Sequence, residues 1–111
     1  MCFRSLLILN FLSLLALSAT AAPRKILFIG NSYTGQVRSA AIRFFAASPQ
    51  KEIRLEFITP GGKTLKQHSE EALTMDRISG GGWDVVVLQD QSQTPAIFPE
   101  KFLSASKRLH Q

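Results

Sequence analysis

Lys25-Ile26-Leu27-Phe28-Ile29-Gly30-Asn31-Ser32-Tyr33-Thr34 is an apolar run that stops on a glycine and passes through a short polar turn into a helical pattern. An unbroken apolar stretch suits a parallel strand that is covered on both faces. In an open α/β sheet, ligands sit in the crevice outside the carboxyl end of such a strand. The hydroxyl of Ser32 falls at that place, where it is positioned for chemistry.

From Gly35 onward Val37, Ala40, Ala41, Phe44 and Phe45 recur at helical spacing, with Arg38 and Arg43 off the stripe, and Pro49 is a natural stop. The next strand, Ile53 to Ile58, alternates. Ile53, Leu55 and Phe57 face one way and Arg54 and Glu56 the other, which places this strand at a sheet edge with one wet face. Thr59-Pro60-Gly61-Gly62-Lys63 reads as a tight turn that brings backbone N–H groups into the open. Thr64 with Gln67 three residues later forms a capping box, so a second helix begins there; its apolar positions are Leu65, Ala72, Met75 and Ile78, and Gly80-Gly81-Gly82 ends it.

Asp84-Val85-Val86-Val87-Leu88 is a third strand, unbroken and therefore interior. After a polar loop from Gln89 to Pro95, a third helix starts near Pro99. Glu100 stands early in it and Lys107, Arg108 and His110 late, as the helix dipole favours, and Phe98, Phe102, Ala105 and Leu109 form its stripe. Two interior strands and one edge strand, joined by right-handed crossovers, imply a flavodoxin-like α/β fold: a three-layer αβα arrangement whose parallel sheet begins in the order 2-1-3. The switch point between strands 1 and 3 is where the crevice opens. A sheet of three strands leaves the far edge of the third bare, so the architecture is expected to be incomplete at the C-terminus.

The chain has 111 residues, enough for one domain at most. Met1 to Ala22 reads as a secretory leader. Arg4 supplies a positive start, Leu6 to Leu17 is apolar apart from Asn10 and Ser13, and Ala19-Thr20-Ala21 is a small-x-small cleavage site. The domain assignment is thus a signal peptide over residues 1–21 and the N-terminal part of one α/β domain over 22–111. The alternative, a retained membrane anchor, asks for a longer apolar run with a basic flank. The expected location is secreted or periplasmic, with no membrane association after the leader is removed.

Cys2, the one cysteine, lies inside the leader, so the mature chain has neither disulfides nor thiolate metal sites, which suits an oxidising compartment. The formal net charge is +5, one lower without Arg4. The basic residues are scattered and not interleaved with aromatics, which describes a solvated surface and not a nucleic-acid face. No cluster of histidines and carboxylates suggests a metal, and no cofactor is expected.

Three loops leave the carboxyl ends of the three strands: Gly30 to Thr34, Thr59 to Lys63, and Gln89 to Thr94. They contain a serine after a turn glycine, a glycine pair with free N–H groups, and a run of amide side chains. Acyl transfer to a serine asks for such a set: a nucleophile flanked by donors that can stabilise a developing oxyanion.

At these residues the chain resembles the SGNH (GDSL-like) hydrolases. Gly30-Asn31-Ser32-Tyr33-Thr34 is similar to the family's first block, in which a Gly-Asp-Ser or Gly-Asn-Ser turn presents the nucleophile. Gly62-Lys63-Thr64 is similar to the second, whose glycine N–H contributes to the oxyanion hole. Leu88-Gln89-Asp90-Gln91-Ser92 falls where the family has Leu-Gly-x-Asn-Asp, and in register Gln91 takes the place of the donating asparagine, with Gln89 as a competing donor. The match is nearest to a secreted bacterial branch with Leu-Gln-[Asp/Glu]-Gln-Ser in the third block.

The resemblance implies a serine esterase with Ser32 as nucleophile and Gly62 and Gln91 in the oxyanion hole. It points to small-molecule or carbohydrate esters, acetyl esters of carbohydrates among them, and to no particular oligomeric state. The family's last block, Asp-x-x-His, which supplies the general base and its acid, has no counterpart up to Gln111, so the chain as given is expected to be an N-terminal fragment with little or no turnover.

Each of these residues also has a plainer reading. Ser32 would serve as a helix cap, and Gly61 and Gly62 as a turn. His68, on the face of Leu65, Ala72 and Met75, is either a core histidine or a border of the site. His110 is a solvated residue in a last helical turn, and Asp90 a loop or capping residue. A non-catalytic module that binds an anion or a carbohydrate in the same crevice is the alternative to an enzyme.

Overall fold

The computed structural model describes residues 24–49 and 52–111. The proposed leader and its cleavage site lie outside the described residues. The elements are β1 (Arg24–Ile29), α1 (Ser32–Ala46), β2 (Ile53–Ile58), α2 (Leu65–Ser69), α3 (Ala72–Gly80), β3 (Val85–Leu88), α4 (Thr94–Ile97) and α5 (Pro99–His110). The three strands form one parallel sheet in the order β2-β1-β3. Ile29 is level with both Ile58 and Leu88, so the three loops open along one edge of the sheet.

Period-two alternation distributes the strand side chains between two layers. Leu27 and Ile29 point to the side where Leu65 of α2 and Ala105 and Leu109 of α5 close over them; Ile58, Val86 and Leu88 flank this core, joined by Met75, Ile78, Trp83 and Phe102 from the same layer. Removing each of the fully buried leucines and isoleucines from water is worth roughly 1.5–3 kcal/mol, so this layer holds the sheet together. The face of β2 that reads as wet turns to this same helical layer: Glu56 is level with Leu27, and at the sheet edge its carboxylate accepts from Arg77 of α3 at 3.0 Å.

Ile26, Phe28, Phe57, Val85 and Val87 occupy the opposite face, with the Phe28 and Phe57 rings stacked at 4.7 Å. α1 lies on this side. Its apolar stripe and the sheet enclose an open cleft of about 600 Å³ lined by Ile26, Phe28, Val37, Phe44, Val85 and Val87 among others. Phe44 is 74% and Val85 43% exposed. β3, whose apolar run reads as interior, is therefore an edge of the sheet among the described residues.

The helices differ from the sequence expectations in three places, each with a local cause. α1 starts at Ser32 and not at Gly35, because Asn31 supplies the cap: its side-chain oxygen accepts from the Tyr33 N–H at 3.1 Å. The second helix is two. Glu71 takes an extended backbone (φ −98°, ψ 119°) between α2 and α3, and its carboxylate turns to the Lys63 ammonium. Phe98 leaves helical geometry (φ −130°, ψ 61°) because the residue before a proline is pushed out of the α region, which separates the short α4 from α5. Phe98 accordingly drops out of the α5 stripe and packs its ring against the Lys101 ammonium at 4.3 Å.

Candidate active site

Local sequence places the first turn. β1 ends at Ile29, and the Gly30 N–H donates to Ile58 O at 3.0 Å, continuing the ladder one residue further. A side chain at Gly30 has no room: a Cβ there would stand 2.5 Å from Gln89 Oε1 and 2.6 Å from Thr34 Oγ1. The glycine is required by this close approach, which lets the third loop reach across the first.

Gln89 makes that crossing. Its Oε1 accepts from the Asn31 N–H at 3.0 Å and from the Thr34 hydroxyl at 2.8 Å, while its amide donates to Asp90 O. Both ends of the Gln89 side chain are thus engaged, and of the two glutamines that are candidate oxyanion donors it is Gln91, exposed at the rim, whose side chain has no protein partner among the described residues. Asp90 is 5% exposed, and its Oδ1 accepts from the Leu65 N–H at 3.0 Å and the Gln91 N–H at 2.7 Å. It is a capping residue for α2 and a brace for the third loop.

The second loop is joined to the first by Asn31, whose Nδ2 donates to Lys63 O at 3.2 Å. The capping box is formed as the spacing of Thr64 and Gln67 predicts, with Thr64 Oγ1 accepting from the Gln67 N–H at 3.2 Å and Gln67 Oε1 accepting from the Thr64 N–H at 2.9 Å. Gly62 adopts a left-handed φ of 71° with open space around its α-carbon, and its N–H has no protein acceptor among the described residues. Ser32, the first residue of α1, is exposed; Asn31 performs the capping, and the Ser32 hydroxyl has no protein partner among the described residues. The first N–H groups of a helix lack intrahelical acceptors, so the α1 terminus adds positive potential beside this hydroxyl.

His68 is fully buried, and a ring nitrogen reaches the first turn: Nε2 lies 2.7 Å from Gly30 O. A carbonyl only accepts, so Nε2 carries the hydrogen. Burial holds its pKa below the ordinary value of 6.5, against the opposing pull of the Gly30 carbonyl, so the ring is neutral. It is a core histidine and a border of the site at once, and no feature of residues 65–75 in sequence shows which carbonyl it meets. His110 is elsewhere. It ends α5 and lines a cleft with Gly82, Trp83 and Leu88 that none of the three loops joins.

The structure therefore brings together the loops of Ser32, Gly62 and Gln91 through hydrogen bonds among Gly30, Asn31, Lys63, Leu65, Gln89 and Asp90. Among the described residues no group of three or more histidines, cysteines and carboxylates is placed to hold a metal ion, and no helix is long and apolar enough to cross a membrane. Comparison with protein-family models, with curated proteins and with solved structures finds no match.

Proposed function

We propose that this chain carries the nucleophile and oxyanion groups of a serine esterase of SGNH type. The observation that carries the reading is the exposed, unengaged Ser32 hydroxyl at the N-terminus of α1, on a turn that the Asn31–Lys63 hydrogen bond joins to the turn of the open Gly62 amide. In this proposal the Ser32 oxygen attacks the ester carbonyl carbon, and the Gly62 N–H and the Gln91 amide receive the charge that develops on the carbonyl oxygen. The serine proton must pass to a base. Neither histidine of residues 24–111 serves, since His68 is committed to Gly30 and His110 lines a cleft that includes no residue of the Ser32, Gly62 or Gln91 loops. Turnover consequently requires a base that residues 24–111 do not bring to Ser32, a role the resemblance gives to an Asp-x-x-His pair. The substrate is proposed as a small-molecule or carbohydrate ester, and the site of action as the periplasm or the exterior.

In the whole protein, Ser32→Ala is expected to abolish both fluorophosphonate labelling and aryl-acetate hydrolysis. Retention of either at the wild-type level refutes the assignment. The free Gly62 N–H and the N-terminus of α1 also suit a second reading, in which the same N–H-rich crevice binds an anion or carbohydrate without turnover. Calorimetry showing no affinity for acetate, phosphate or simple sugars counts against it.

A further inference from the structure

We propose that His68 is a positioning residue which sets the spacing between the turn that carries Ser32 and the turn that carries Gly62; the inference rests on the esterase reading above. It is drawn from a circuit of hydrogen bonds and close polar contacts beneath the two turns. His68 Nε2–H donates to Gly30 O at 2.7 Å, and Nδ1 lies 3.3 Å from the hydroxyl of Thr74, itself fully buried. That hydroxyl is also 3.3 Å from Glu71 Oε2, so its single hydrogen is shared between two acceptors, Nδ1 and the carboxylate, and Glu71 Oε1 holds the Lys63 ammonium. Lys63 O then accepts from Asn31 Nδ2 at 3.2 Å, and Asn31 follows Gly30 in the chain.

The circuit joins two backbone positions that chemistry needs at a set distance, Gly30-Asn31 before the nucleophile and Lys63 after the oxyanion glycine. The N–H groups of the first turn are held from other sides, Gly30 by Ile58 O and Asn31 by Gln89 Oε1, whereas the circuit holds the carbonyls of Gly30 and Lys63, and the Lys63 N–H makes only a long bond to Pro60 O, at 3.4 Å. The break between α2 and α3 at Glu71 fits the same purpose, since it turns one carboxylate toward both Thr74 and Lys63. His68 is the one member whose ring reaches the Gly30 carbonyl. It touches no reacting atom, so its effect on the reaction is through geometry, where a displacement of about 1 Å is enough to cost up to about a hundredfold in rate.

The test uses the whole protein with His68→Leu, His68→Gln and Thr74→Val. The leucine keeps apolar volume without a donor, the glutamine returns an N–H near the position of Nε2, and the valine deletes only the hydroxyl that meets Nδ1. With p-nitrophenyl acetate, His68→Leu is expected to lower kcat about ten- to a hundredfold with KM within about twofold, and His68→Gln to recover most of the loss. In 15N–1H spectra the Ser32 and Gly62 amide resonances are expected to move together in His68→Leu and to return toward their wild-type positions in His68→Gln. A folded His68→Leu protein with wild-type kcat, or a His68→Gln protein no better than the leucine variant, overturns the proposal. If the wild type hydrolyses no ester, the esterase reading fails, and the amide resonances alone decide whether His68 couples the two turns. Should His68→Leu not fold, Thr74→Val carries the same comparison: unshifted Ser32 and Gly62 amides overturn the circuit.

Discussion

Replacing Gly30 with alanine places a methyl group 2.5 Å from Gln89 Oε1 and 2.6 Å from Thr34 Oγ1, distances no real Cβ tolerates. The Gln89 side chain must withdraw, and with it go the bonds to the Asn31 N–H and the Thr34 hydroxyl. Each is worth about 1 kcal/mol net, and the buried Asn31 N–H, left without an acceptor, adds about 1–3 kcal/mol. The lower chain entropy of an unfolded alanine returns about 0.4–1 kcal/mol. The balance is a destabilisation of about 3 kcal/mol, a large share of the roughly 5–15 kcal/mol that holds a domain together. Urea unfolding followed by circular dichroism reads this as a midpoint lowered by more than about 1 M at unchanged slope. Gln89→Ala removes the clashing oxygen, so the double variant is expected to be less destabilised than the sum of the two singles. A Gly30→Ala protein within about 0.5 kcal/mol of wild type, or strict additivity with Gln89→Ala, would refute the account of how the first and third loops are joined.

Acid is expected to weaken the fold through His68 first. Its folded pKa lies below the ordinary 6.5, so the stability it contributes is complete above that value and falls as pH drops through the lowered pKa, by at most about 1.4 kcal/mol per pH unit. The charged groups around it are Lys63, which favours the neutral ring, and Glu71 and Asp90, which oppose it. Glu71 follows at lower pH: the Lys63 ammonium holds its carboxyl below the ordinary 4.5, and that contribution is lost as pH falls through the depressed value. Unfolding midpoints measured from pH 8 to 2 check both, and His68→Gln should flatten the upper part of the profile. Asp90→Ala leaves the buried Leu65 N–H and the Gln91 N–H without their shared acceptor and is expected to cost about 3 kcal/mol, with Asp90→Asn costing less; equal stability of the two variants in urea would sink that reading.

The strands, their parallel order and the edge at which the three loops emerge could be read from short-range pattern, because each depends on side-chain period and on glycine or proline punctuation a few residues away. Ile26 to Ile29 against the alternating Ile53 to Ile58 separates the middle strand from an edge, and Thr64 with Gln67 marks a helix start by contacts that span three residues. The same locality made the Phe98–Pro99 break legible in principle. The wiring beneath the site is of another kind. Gln89 meeting Asn31 and Thr34, Asp90 meeting Leu65, and His68 meeting Gly30 are contacts between residues 25 to 58 positions apart. A polar side chain looks alike in sequence whether it faces water or a buried amide. Only when the sheet brings the loop ends level does an unpaired N–H or carbonyl arise within reach, and the cost of leaving such a group unsatisfied is what selects its partner.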